Sequence, residues 1–153
     1  MFLKQIIKMR RLLAYIFLAA IIAGLPGNAD AQCKGFARRI CKLDLENFIH
    51  DGNYHAAVLT EGEEAELYKT FYSDYNYRIA ICGSDVLPDI EFKVMDIQGN
   101  VIYTNRNNGY KTTWDFRLES SQQLMISLTV MRGNPREEPA SGCVAILFGL
   151  SDR

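Results

Sequence analysis

Most of the features by which a sequence declares an activity are missing here. There is no C-x-x-C pair, and the only two histidines, His50 and His55, are not spaced with the thiols. Zinc is disfavoured on that ground. No G-x-S-x-G segment marks a strained nucleophile turn, which speaks against one common hydrolase design. The longest apolar run, Leu12 to Leu25, falls short of the ~20 residues needed to cross a bilayer. There is no internal repeat, no low-complexity segment and no linker long enough to divide the chain. Basic residues do not cluster after the N-terminal region, so neither nucleic acid nor an anionic membrane surface is an expected partner.

What the chain does have begins at its N-terminus. Lys4, Lys8, Arg10 and Arg11 precede the apolar run, Pro26 and Gly27 break it, and Ala29-Asp30-Ala31 follows. That order reads as a secretory signal peptide over 1–31, with cleavage after Ala31 and Gln32 as the first mature residue. Asp30, Ala31 and Gln32 before Cys33 argue against a lipoprotein signal. Residues 1–31 carry four basic groups and one acid, which leaves 13 Lys and Arg against 17 Asp and Glu, a net charge of −4, over 32–153. A mildly acidic domain of that size is expected to fold as one unit in the periplasm or outside the cell.

All four cysteines, Cys33, Cys41, Cys82 and Cys143, follow the signal-like segment, and an even number in an exported chain predicts disulfides. Phe36, Ile40 and Leu43 recur at helical spacing and predict a helix over 33–49. In one continuous helix Cys33 and Cys41 stand roughly 12 Å apart, beyond the ~7 Å that a disulfide spans. Each is then expected to reach the body of the domain through Cys82 and Cys143. A broken helix would instead permit a local 33–41 loop with an 82–143 bridge.

From Ala65 onward the apolar period is two. Leu67 and Phe71, then Tyr77, Ile79 and Ile81, then Ile90, Phe92 and Val94 alternate with polar neighbours. So do Trp114, Phe116 and Leu118, and Leu124, Ile126, Leu128 and Val130. Asp96 to Asn100 reads as a hairpin turn with Gly99 at positive φ. Seven or eight strands over 65–150, spaced by turn signals, predict an antiparallel β-sandwich, with a closed barrel as the alternative.

EGEEAELYKTFYSDYNYRIAIC, DIEFKVMDIQGNVIY, TWDFRLESSQQLMISLTV and SGCVAILFG resemble segments of a family of small exported β-sandwich proteins of Gram-negative bacteria that carries no assigned activity. The order of Tyr77-Arg78-Ile79 before Asp96 to Gly99 is also similar to the pre-peptidase C-terminal domain, a jelly-roll-like sandwich appended to secreted enzymes. No catalytic domain accompanies it here. The resemblance implies a fold and a secreted accessory role, and no active site.

Candidate sites are few. Tyr68, Tyr72, Tyr75, Tyr103 and Tyr110 cannot all face inward, and exposed tyrosines would anchor a protein or stack on sugar rings. A cell-envelope protein or a glycan is therefore the expected partner of a non-catalytic binding or accessory module. His50-Asp51 with Ser84, Ser120 or Ser121 is the alternative, a small envelope hydrolase. A structural subunit of an envelope assembly is a third reading. No cofactor or metal is expected: Glu61, Glu63, Glu64 and Glu66 read as a solvated loop and Asp96 with Gln98 and Asn100 as a hairpin turn, and calcium at these or at Asp85 with Asp89 is the alternative. Trp114 is expected in the core, and Arg78 in an ion pair with an acid such as Asp115.

Overall fold

A computed structural model describes residues 29–135 and 137–151; the run read as the body of a signal peptide lies outside them. Two antiparallel sheets face each other. Nine strands run Ile49–His50 (β1), His55–Thr60 (β2), Glu64–Phe71 (β3), Asn76–Gly83 (β4), Ile90–Met95 (β5), Val101–Thr104 (β6), Thr113–Phe116 (β7), Gln122–Val130 (β8) and Ser141–Ser151 (β9). One sheet has the order β9-β4-β7, with β1 and β2 both paired to the other edge of β9; the second has the order β3-β8-β5-β6. The all-β sandwich is as the alternation predicts, with strands outside the expected 65–150 span as well.

The period-two pattern assigns the faces. Tyr77, Ile79, Ile81, Val144, Ile146 and Phe148 from one sheet meet Phe71, Phe92, Val94, Leu124, Ile126, Leu128 and Val130 from the other. Trp114 joins that core, stacked between Tyr103 at 4.5 Å and Phe116 at 4.4 Å. This aromatic pile plugs the side of the sandwich where β6 and β7 are the edges. Asn105 closes a neighbouring loop: its Oδ1 accepts from Phe92 N–H at 2.9 Å, and its Nδ2 donates to Ile90 O at 2.9 Å and Lys111 O at 3.1 Å. The hairpin after β5 turns as expected, with Gly99 at φ 86° and the Asp96 carboxylate accepting from the Gln98 and Asn100 N–H groups.

A second apolar layer covers the outer face of the β9 sheet. The helix α1 runs Ala29–Arg39 and is followed by a 3-10 turn, Cys41–Leu45, rather than continuing to residue 49. Its buried stripe is Cys33, Ala37, Cys41 and Leu45, set over Ala80, Ala145 and Leu147. Ile40 and Leu43, expected on the buried face, are 56% and 74% exposed. The stripe chosen is the one that carries the thiols. Cys33 bonds to Cys143 on β9 and Cys41 to Cys82 on β4, so both ends of the segment are stapled to the sheet. Small alanines at 80 and 145 let the helix approach closely. Arg78 pins the chain beyond it, with Nε to Asp115 at 2.6 Å, Nη1 to Glu46 at 2.7 Å, and its guanidinium 4.7 Å above the Phe48 ring.

Candidate functional site

The side of the sandwich opposite the aromatic plug is built differently. There the two edges are β2 and β3, joined by the Glu61-Gly62-Glu63 turn but paired to different sheets. The residues facing the gap include Ala57 and Ala65, too small to bridge it. The result is a groove of about 370 Å³. Its floor is interior side chains of β8 and β9, Ile126, Leu128, Val144 and Ile146, and its walls are Leu59 and Leu67. Lys34 on α1 and Glu66 on β3 stand on its rim. Both are exposed, and neither makes an ion pair or a hydrogen bond among the described residues.

One end of the groove is closed by a crossbar. Lys69 occupies an inward position on β3, between Leu67 and Phe71, where alternation would place an apolar residue. Its ammonium crosses the gap to Asp51 Oδ2 at 2.7 Å and lies 4.8 Å from the Phe148 ring centre. Asp51 is presented by a break in the edge strand. His50 pairs with Gly149 and His55 with Ile146, so four residues, 51–54, oppose only two on β9. Asp51 Oδ1 accepts from Asn53 N–H at 2.9 Å, which shapes the break as an Asx turn. Burial pushes the Asp51 carboxyl up, but the Lys69 hydrogen bond, the Asn53 N–H and the charges of Lys69 and His50 outweigh it, and its pKa is held below the ordinary value. His55, edge-on to Phe148 at 5.8 Å, is pushed down by burial, partly opposed by Asp51.

Beyond the crossbar lies a second recess of about 270 Å³, lined by Asp51, Lys69, Tyr72, Tyr75 and Tyr77 among others. Two of the five tyrosines singled out in the sequence, Tyr72 and Tyr75, therefore share one wall. The other three are dispersed. Tyr68 points away from the core on the outer face of β3 and is 55% exposed. Tyr103 is half-buried against Phe92 and Trp114, and that burial raises its pKa. Tyr110, at φ 54°, lines a separate cleft with Ser84, Asp85 and Asp89. The five do not form a single surface.

His50 does not meet a serine. Its Nε2 lies 3.0 Å from Asn53 O, and its ring packs 4.4 Å from Tyr54. Ser84 sits beside Cys143, whereas His50 pairs with Gly149, six residues along β9. That separation is about 20 Å at strand rise. Ser121 Oγ accepts from Ser73 N–H. Three of the four glutamates considered for calcium have other work: Glu61 accepts from Gly133 and Ala140 N–H, Glu63 from Thr60 N–H, and Glu64 from the Ser127 hydroxyl. Among the described residues no three metal-binding side chains converge.

Lys34, His55 and Lys69 were missed from sequence, and Glu66 was weighed only as one of four acids for calcium. The signal for Lys69 was present, as a cation in an inward register between two apolar residues. The groove itself left a fainter trace, in the small residues Ala57 and Ala65 at inward positions of β2 and β3.

No family model matches the chain, and no curated protein matches it. Among solved structures, PliG of Aeromonas hydrophila, described as a periplasmic lysozyme inhibitor of g-type lysozyme, aligns with 69% of this chain and 90% of that one. The identity is 14% and the TM-score 0.49. The likeness is distant, and no residue role is transferred from it.

Proposed function

We propose that the protein is an exported, non-catalytic binding module of the cell envelope, and that its contact region is the groove between β2 and β3. The observation that carries the reading is the contrast between the two sides of the sandwich. One is sealed by Tyr103, Trp114 and Phe116. The other is left open over apolar floor residues, with Lys34 and Glu66, which have no ion-pair partner among the described residues, on its rim. Concave, largely apolar sites with a few placed polar groups are where ligands bind. The basic and apolar N-terminal segment and the two disulfides support export.

The test immobilises the disulfide-bonded mature protein and passes over it a soluble extract of envelope proteins and, separately, envelope glycans. Ala57→Trp fills the groove from the β2 side, and Ala65→Phe from the β3 side. Val101→Glu, at an exposed site on the far edge strand β6, is the control. Retention by the parent and the control, reduced at least tenfold in both filled variants, is the expected result. Equal retention by all four proteins, or none by any, overturns the reading.

A further inference from the structure

Resting on the groove as contact region, we infer the form of what fills it: an extended polypeptide segment of a partner, added as a strand to β2. Glu61 N–H donates to Ala140 O at 3.0 Å, which continues the β2–β9 ladder beyond the Thr60↔Ser141 pair. In an antiparallel pair the bonded residues alternate. Leu59, Ala57 and His55 therefore exchange bonds with β9, and Ala56, Val58 and Thr60 direct their N–H and C=O groups away from it. Thr60 confirms the phase, because its N–H is turned outward and is taken by Glu63 Oε2 at 2.7 Å. Ala56 and Val58 have no such partner among the described residues. Two main-chain donors and two acceptors thus stand in a row beside the groove.

Natural edges are normally protected by charge, proline or a bulge. The opposite wall follows that rule, since the outward positions of β3 are Glu64, Glu66, Tyr68 and Thr70. The β2 wall does not: His-Ala-Ala-Val-Leu-Thr contains no formally charged residue and no proline, and its register is unbroken over six pairs. A guest strand here gains main-chain bonds from Ala56 and Val58 and lowers alternate side chains onto Ile126, Leu128, Val144 and Ile146. It supplies on this side what Tyr103 and Trp114 supply on the other. Lys34 and Glu66 set its charge, with a carboxylate on the helix side and a Lys or Arg on the β3 side. A second copy of this chain fits less well, because the inward set of its own β2, His55, Ala57 and Leu59, has the small Ala57 at its centre, where the groove needs a larger residue. A glycan fits less well because Tyr68 faces elsewhere and the floor offers no hydrogen-bonding group.

The experiment selects from a displayed library of random ten-residue peptides against the disulfide-bonded mature protein. Enriched peptides with apolar residues at alternate positions are expected. Val58→Pro removes one outward N–H and leaves the β9 ladder intact, so affinity for those peptides drops about tenfold. Glu66→Lys lowers it about threefold in a salt-dependent manner. Circular dichroism of Val58→Pro confirms the sandwich, and N-methylation of alternate peptide amides gives the same loss on the unaltered protein. Four outcomes overturn the inference: no enrichment over a scrambled library, binders indifferent to both Val58→Pro and N-methylation, a dimer by light scattering that Val58→Pro dissociates, or glycan retention that Ala57→Trp abolishes. If envelope material is retained in an Ala57-dependent way but peptides are not, strand addition is wrong and the binding module stands. If nothing is retained by either route, the broader reading falls.

Discussion

The staple between α1 and β9 sets a quantitative expectation. Cys33 and Cys143 are 110 residues apart, but the Cys41–Cys82 bridge is nested inside that loop. The shortest covalent path between the outer pair therefore crosses the inner bridge. It runs 8 residues from 33 to 41 and 61 residues from 82 to 143. A loop of about 70 residues costs the unfolded chain roughly 4.4 kcal/mol less entropy when it is pre-closed, against roughly 4.8 for the uninterrupted loop. Cys33→Ala with Cys143→Ala is thus expected to destabilise the oxidised protein by about 4 kcal/mol. With a urea slope near 1.5 kcal/mol per M, the unfolding midpoint falls by roughly 2.5 M. The variant also frees the segment that holds Lys34 on the groove rim, so ligand retention weakens in parallel. A loss below about 1 kcal/mol at unchanged slope would refute the topology, because the two elements would then be held by packing alone.

Two further outcomes follow from side chains inside the domain. His55 is depressed below 6.5 by burial and Asp51 below 3.8 by Lys69 and Asn53. Both bind fewer protons folded than unfolded, so stability is lost as the pH falls: first below about 6.5, towards the folded pKa of His55, and again below about 3.8. Asp44, raised by burial and Glu46, has the opposite sign and only softens the acid limb. Urea midpoints measured from pH 8 to 3 check this, with His55→Gln removing the first step; a midpoint that rises from pH 7 to 5 contradicts it. Asn105→Ala leaves Phe92 N–H and two carbonyls unpaired at a site only 1% exposed, and is expected to cost about 3 kcal/mol by thermal or urea unfolding.

Much of this architecture was legible because alternation is a direct imprint of a half-buried sheet. Trp114, Phe116, Leu124, Ile126 and Phe92 all lie on the side that their neighbours' polarity assigns them. The pairing of Arg78 with Asp115 was legible for the same reason, as the two share an outward register. The helix was misjudged because apolar spacing favoured Phe36, Ile40 and Leu43, whereas two covalent bonds selected Cys33, Ala37, Cys41 and Leu45. Disulfide constraint outweighs the transfer energy of two exposed aliphatics. The two-residue β1, Ile49–His50, was hidden where the expected helix over 33–49 meets the turn formers His50 to Asn53. The groove was illegible because it depends on which strands become edges. That property is set by pairing partners far along the chain, and nothing local distinguishes β2 as an edge except its freedom from charge.

The most direct test of the groove as a strand-accepting site is residue-resolved amide hydrogen exchange along β2. In the free protein, Ala57 and Leu59 are expected to exchange slowly and Ala56 and Val58 rapidly. On saturation with the best-enriched peptide, Ala56 and Val58 gain at least tenfold protection while Ala57 and Leu59 change little. Slow exchange at Ala56 and Val58 before any peptide is added, or no gain after it, would contradict the account.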